Sequence, residues 1–378
     1  MNTDTMRFVD RFIGSPACHL LALLTPLFVR QSSSKIIVLC KFFGLGSICL
    51  SDPLIKELKR RDYEIVYLTF HSNDPLAKII GVERTICIAP TSLFGFAFGV
   101  IGAVFKLRKL RPVAFLNLEF FSRFAALMTL LSGAPIRAGF HISHLPVGKL
   151  YTHRTNLNVY RPIHENYLNI GMTAGVIDQL PPYDPDPTSM RLPDSNTLAR
   201  SISGPYYVIN AESSETVQQL RAWPAKSWAA LLNQLRLLKP DIKFVLLGTK
   251  SSAELYNQIL SDVQNKDHIV NMAGQTSFHE MTQLIHGAEM VVTVDSGPFH
   301  LSTLLKRRTV GLFGPETPVL YGYKLPWVRN IHKNLICSPC LALYDAKKSV
   351  LNCTDNQCLK QITVQDVIAE MDTLDATA

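Results

Sequence analysis

The chain is poor in charge, in tryptophan and in cysteine, and it has no low-complexity segment. Charged residues make up 18% of its 378 positions, below the usual quarter, while glycine (20) and proline (22) are ordinary. That composition excludes a disordered, collagen-like or coiled-coil chain. Eight cysteines are too few for a disulfide-stapled secreted scaffold, and Cys18, Cys40, Cys49 and Cys87 lie singly among apolar residues, which points to buried thiols in a reducing compartment. An uninterrupted membrane-length apolar run is also missing. Phe12 to Val29 has the minimum length but is broken by Gly14, Pro16, His19 and Pro26, so a spanning helix is disfavoured. It is a poor signal peptide too, because Asp4 and Asp10 offset Arg7 and Arg11. An interfacial anchor, or a helix packed on the body, fits better.

What charge there is lies unevenly. Residues 1–180 carry 20 Lys and Arg against 11 Asp and Glu, and the remainder carries 18 against 19. The basic excess of the first half suggests an anionic partner, whether a phosphorylated substrate, a lipid surface or a nucleic acid, or else an unpartnered solvated face. Leu93 to Phe105 is apolar and runs into Lys106, Arg108, Lys109 and Arg111. An apolar face with a basic collar suits anionic lipid, and a buried helix with a solvated end reads equally well.

Two alternating strand–helix series follow, each rich in continuous apolar strands of the kind buried in parallel sheets. The first reads as strands at Lys35–Cys40, Ile65–Phe70, Thr85–Ile88 and Val113–Leu118, with helices at Ile48–Arg61, Leu93–Leu110 and Phe120–Leu131. Asp178–Gly204 is polar and proline-rich and reads as a linker. The second has strands at Tyr206–Ile209, Ile242–Leu247, Met290–Val294 and Thr309–Phe313, and helices at Lys226–Leu238, Ser251–Val263 and Phe278–His286. The expected fold class is α/β, with an apolar membrane-associating segment over 1–34, Rossmann-like domains over 35–185 and 200–345 facing a central cleft, and a cysteine-bearing tail and final helix over 346–378. A cleft enzyme or a two-lobed binder follows.

The most informative segment is Val294-Asp295-Ser296-Gly297-Pro298-Phe299-His300. A strand ends, Asp295 and Ser296 are placed to cap, Gly297 admits a ligand close to backbone, and Pro298 suits a first helical turn. Free N–H groups at that helix start could receive a diphosphate, with His300 as a further donor and Asp295 on sugar hydroxyls. The alternative is an ordinary strand-to-helix turn in which Asp295 caps and His300 packs.

Gly274-Gln275-Thr276-Ser277, then Asp295 to Leu301, then Gly311-Leu312-Phe313-Gly314-Pro315 together resemble the C-terminal lobe of glycosyltransferase family 9, the heptosyltransferases of lipopolysaccharide assembly. Lys35–Pro53 resembles that family's first strand, glycine loop and helix, Leu116–Phe140 its acceptor-side strand and helix, and Arg221-Ala222-Trp223-Pro224 its basic-x-Trp-Pro element. The resemblance implies a two-lobed GT-B fold. It also implies transfer of a heptose or similar sugar from a nucleotide diphosphate (ADP-heptose-like) to a lipid-linked saccharide, with inversion, without an obligatory metal or cofactor, at the inner face of the cytoplasmic membrane. Donor phosphates would meet Arg221, Gly274, Thr276, Asp295, Ser296, Gly297 and His300, Arg221 standing where the family places a phosphate-binding lysine. Gly44, Gly46 and Arg123 would line the acceptor side.

The chain departs from the family at Ser47, where the glycine loop generally ends in the aspartate taken as the catalytic base. A neutral serine is no effective base at pH 7. Glu119, ending its strand beside Arg123, is the preferred substitute and Asp52 the second; the bland reading of Glu119 is a carboxylate at a helix start. For the ribose, Glu254 is available, although a solvated carboxylate describes it better. Cys337-x2-Cys340 and Cys353-x4-Cys358 have a spacing that could hold a structural Zn²⁺, against free thiols or disulfides. Two rivals stay open: a non-catalytic GT-B binding protein, motivated by Ser47, and a GT-B sugar-nucleotide epimerase, which would need several carboxylates around the sugar. No basic-aromatic groove argues for nucleic acid.

Overall fold

β1 (Ile36–Cys40) is five apolar residues with no polar alternation. Such a strand is stable only with both faces covered, and it lies inside a sheet. In the computed structural model, which describes residues 10–90, 92–192, 202–213, 218–341 and 353–376, the chain forms two units meeting in sequence at Asp184 and Pro185. Each unit holds one six-stranded, all-parallel sheet.

In the first unit the strand order is β3-β2-β1-β4-β5-β6, with β2 at Glu64–Phe70, β3 at Arg84–Ile88, β4 at Ala114–Asn117, β5 at Ile136–Phe140 and β6 at His153–Thr155. In the second it is β12-β11-β10-β7-β8-β9, with β7 at Tyr206–Asn210, β8 at Lys243–Leu246, β9 at Ile269–Asn271, β10 at Met290–Val294, β11 at Arg308–Phe313 and β12 at Val328–His332. Because every pair is parallel, all strands of a sheet end on the same edge. That edge gathers the polar residues that follow each strand.

Two expected helices differ in the structure. Ile48–Arg61 is broken into Leu45–Cys49 and Asp52–Arg60, since Pro53 in the second helix's first turn has no N–H with which to continue the first. The helix expected from Phe120 begins at Arg123, after Phe121 takes a left-handed backbone (φ 59°) and Ser122 caps by accepting from the Ala125 amide. The linker expected over Asp178–Gly204 contains a short 3₁₀ turn at Pro187–Ser189, and its residues 193–201 lie outside the described ones, as do 346–352 of the expected tail.

The N-terminal segment belongs to the body of the first unit. Its helix Gly14–Leu23 buries Cys18 against Ala126, Leu130, Val147 and Leu150. Among the described residues no helix is long and apolar enough to cross a membrane. At the other end, the helix Val364–Asp375 sets Val367, Met371 and Leu374 into the core of the second unit beside Trp223 and Trp228. The Trp223 indole donates to the Ile362 carbonyl at 2.9 Å.

Candidate functional site

At the carboxyl edge of the second sheet, β10 gives way to the helix Gly297–Leu304. The position is held from behind. Asn210, at the end of β7, accepts through Oδ1 from the hydroxyls of Thr293 (3.0 Å) and Ser296 (3.1 Å), and donates to the Leu247 carbonyl at 2.9 Å. Gly311 on β11 lets Phe299 pack onto the strand; a Cβ there would meet the Phe299 ring at 2.4 Å.

The capping expected of Asp295 and Ser296 does not occur. Ser296 is the N-cap residue, yet no side chain caps the helix, because its hydroxyl is committed to Asn210 and Thr293. Asp295 turns instead toward Arg221 and His300: its Oδ2 lies 3.4 Å from Arg221 Nη1 and its Oδ1 3.9 Å from His300 Nε2. The Ser296 side chain therefore accepts from none of the first-turn amides. His300 is buried, with Nδ1 2.9 Å from the Tyr323 hydroxyl.

Arg221 comes to this turn as expected, but its charge is already matched. Nη2 donates to Glu316 Oε1 at 2.9 Å and Nη1 to the Asp295 carbonyl at 3.2 Å. Burial acts to lower the guanidinium pKa, yet the charges of Asp295 and Glu316 outweigh it and the pKa rises. Arg221 is therefore a fixed cation held by two buried carboxylates. Glu316, only 1% exposed, escaped the sequence reading, although it directly follows the Gly314-Pro315 pair. Glu212, buried just past β7, was missed as well; it accepts from the Thr249 amide and hydroxyl, each at 2.5 Å. Gly274 occupies a separate turn with φ +73°, its amide bonded to the Gly248 carbonyl at 2.8 Å. Thr276, half-buried, precedes the Ser277–Glu280 capping box of the helix Phe278–Gly287. Glu254 lies in the first turn of the helix Ala253–Ser261, exposed.

In the first unit Gly44 takes φ +84° and opens the helix Leu45–Cys49 that carries Gly46 and Ser47. A Cβ on Gly44 would lie 3.2 Å from Ser47 Oγ. Tyr167 stands close by; burial drives its phenol well up, with the Ser47 hydroxyl acting the other way.

Glu119 stands beside Lys41 rather than beside Arg123. Its Oε2 accepts from Lys41 Nζ at 2.8 Å, and its Oε1 accepts from the amides of Phe42 at 2.6 Å and Phe43 at 2.9 Å. Lys41 also lies over the Phe120 ring, 4.6 Å from its centroid. A carboxylate with both oxygens occupied by donors ties the end of β4 to the end of β1. Asp52 is buried and pairs with Lys56 at 2.9 Å. Arg123 bonds Ser15 Oγ at 2.6 Å and Asp10 at 3.3 Å, pinning the N-terminal segment.

The zinc spacing is not matched by a ligand set. Cys337 and Cys353 are exposed, Cys340 half-buried and Cys358 buried, and among the described residues no group of three or more His, Cys, Asp or Glu side chains is placed to hold a metal. Burial pushes the Cys340 thiol up to about 11, helped by the neighbouring Cys358, Cys353 and Cys337.

Two Rossmann-like α/β units, each built on a six-stranded parallel sheet, define the class of α/β proteins with the GT-B fold. The family follows from comparison with known proteins: residues 122–351 match the model of glycosyltransferase family 9 (heptosyltransferase), and the chain belongs to that family. Over 127 residues it is 28% identical to a lipooligosaccharide heptosyltransferase 2 of Campylobacter jejuni, a match covering 32% of this chain and 37% of that protein. The chain thus spans little more than a third of the length of that curated relative. Among solved structures, the ADP-heptose lps heptosyltransferase II of E. coli superposes with a TM-score of 0.67 at 21% identity, over 91% of this chain and 99% of that one. A family 9 glycosyl transferase from Veillonella parvula gives 0.74 at 17%, over 93% and 100%.

Proposed function

We propose that the protein is an inverting glycosyltransferase that moves a heptose or related sugar from a nucleotide diphosphate, ADP-heptose-like, to a lipid-linked saccharide of the lipopolysaccharide type at the inner face of the cytoplasmic membrane. The observation that carries the reading is the uncapped start of the helix Gly297–Leu304, set between buried Asp295 and His300 and half-buried Arg221 in a chain of this family. In the reaction the acceptor hydroxyl attacks the anomeric carbon and loses its proton as the bond to the diphosphate breaks. The departing diphosphate gains negative charge. The amides of Gly297 and Phe299, which no side chain caps, and the helix dipole would meet that charge without reorganising. Asp295, held by Arg221, is oriented to accept from sugar hydroxyls.

The acceptor's proton needs a receiving base. Ser47 cannot serve, Asp52 is buried, and Glu119 would have to release Lys41 or a loop amide to accept the proton. A second reading, a nucleotide-sugar binder without transfer, is favoured by that same set of engaged carboxylates. Incubating the purified protein with ADP-, UDP- and GDP-linked sugars, with and without lipopolysaccharide core acceptors, separates the readings. Thermal stabilisation by one donor and sugar transfer supports the enzyme; stabilisation without transfer supports the binder; stabilisation by none overturns both.

A further inference from the structure

The first unit presents an apolar face made by two helices that flank a third. The helix Leu93–Leu110 and the helix Arg123–Leu131 pack on one face of the sheet, through Ala103 and Leu107 in the one and Ala125 and Met128 in the other. On the far side of Arg123–Leu131 lies the N-terminal helix Gly14–Leu23. The three are tied at both ends. Phe96 packs on Phe124 near one end, where Asp10 accepts from the Phe124 amide. At the other, Arg108 donates to the Leu131 carbonyl and the Arg30 amide to the Gly133 carbonyl.

The outer side of this layer is apolar where a solvated helix layer would be polar. Phe94, Phe98, Ile101 and Phe105 follow the four-three-four spacing of one helical stripe, and the three phenylalanines are 70–78% exposed. Across the middle helix, Leu20, Leu23 and Leu27 are exposed by 62–80%. Scattered surface leucines need no explanation, but a two-helix ridge of large side chains does. Exposed cations gather at its end: Arg30, Lys106, Lys109 and Arg111. From residue 11 to 34 and from 92 to 118 the sequence contains no Asp or Glu.

We propose that this face is a docking surface for an anionic phospholipid bilayer, entered by the phenylalanine stripe and the N-terminal leucines while the collar of Arg30, Lys106, Lys109 and Arg111 sits among headgroup phosphates. The charge decides the occupant. A second copy of the chain would set this collar against an identical collar or against an apolar ridge, whereas phosphate headgroups beside acyl chains complement both parts at once. The surface stands independently of the sugar-transfer reading, and its test needs neither donor nor acceptor.

The experiment is co-sedimentation of the full chain with vesicles of phosphatidylglycerol and phosphatidylcholine, and with phosphatidylcholine alone. Strong partitioning onto the mixed vesicles is expected. A Lys106→Gln, Lys109→Gln, Arg111→Gln variant should lose roughly a hundredfold on the mixed vesicles, at about fivefold per cation near an anionic surface, and change little on the neutral ones. A Phe94→Ser, Phe98→Ser, Phe105→Ser variant should lose at least about tenfold on both. All six side chains are exposed, so melting temperatures should hold. Wild-type protein that stays in the supernatant with mixed vesicles overturns the proposal, as does partitioning that neither variant reduces. A concentration-dependent dimer that the phenylalanine variant abolishes, with no vesicle binding, assigns the face to a second copy and overturns it equally.

Discussion

Replacing Glu119 by Gln tests whether this carboxylate anchors the first unit or takes the acceptor's proton. It holds three donors, Lys41 at 2.8 Å and the Phe42 and Phe43 amides at 2.6 and 2.9 Å, the first two buried. Glutamine keeps one carbonyl oxygen for the amides but turns an NH₂ group or a neutral oxygen toward Lys41, whose side chain is only 2% exposed. Breaking a buried pair from one side costs about 3–5 kcal/mol, and the surviving amide bonds put Glu119→Gln near the lower figure. At roughly 2–4 °C per kcal/mol for a unit of this size, the first unit should melt about 6–12 °C lower. Adding Lys41→Met removes the stranded cation and should recover part of the loss, with a coupling of about 1–3 kcal/mol in the double-mutant cycle. Denaturant titration of the four proteins measures it, alongside turnover at a temperature where all are folded. An unchanged midpoint together with turnover lowered by about 10²–10⁴, the range of general-base catalysis, would refute the anchor and restore the base.

Arg221→Ala should strip the partner from two buried carboxylates, Asp295 and Glu316, destabilising the second unit by about 3–5 kcal/mol and weakening nucleotide-sugar binding; calorimetric titration showing full affinity would remove Arg221 from the donor site. His164, stacked on Tyr183 at 4.5 Å between ring centroids, has its pKa lowered from 6.5 to about 4, by burial first and the charge of Arg161 second. As pH falls, the unfolded chain binds this proton before the folded one does, so the stabilisation is whole above about pH 6.5 and drains away toward pH 4, by up to roughly 3 kcal/mol. His164→Phe should flatten urea midpoints measured across that window, and an unaltered slope would count against it. Gly311→Ala places a methyl against Phe299, 2.4 Å from the ring, and should cost about 1–3 kcal/mol of overpacking, read as a lower midpoint for the second unit; a midpoint unmoved would mean the ring shifts freely.

Strands were legible because burial on both faces writes them as continuous apolar runs; Met290–Val294 needs nothing more. The helix Leu93–Leu110 was legible in length, and its exposed phenylalanines follow from its spacing. Breaks were harder: the interruption before Asp52 depends on one missing amide, that of Pro53, inside an otherwise helical pattern. The turn at Asp295 was found from its residues, but not its wiring, because Ser296 chose Asn210, 86 positions away, over the local cap. Glu119 and Lys41 stand 78 positions apart, a distance at which no periodicity can announce a pair. Glu316 and Glu212 carried no signal beyond lying just past strand ends. The late cysteines carried a spacing but no geometry, since spacing along the chain does not fix how far apart the thiols stand in space.

The helix Val364–Asp375 has a kinetic consequence. The second unit assembles its interior around β7 and β10 but completes it with Ile362, Val367, Met371 and Leu374, which follow every strand of its sheet in the chain. While synthesis proceeds, the first unit already has all of its strands and is free to fold alone. The second must wait, with Trp223 and its neighbours uncovered, until the helix Val364–Asp375 has followed its strands.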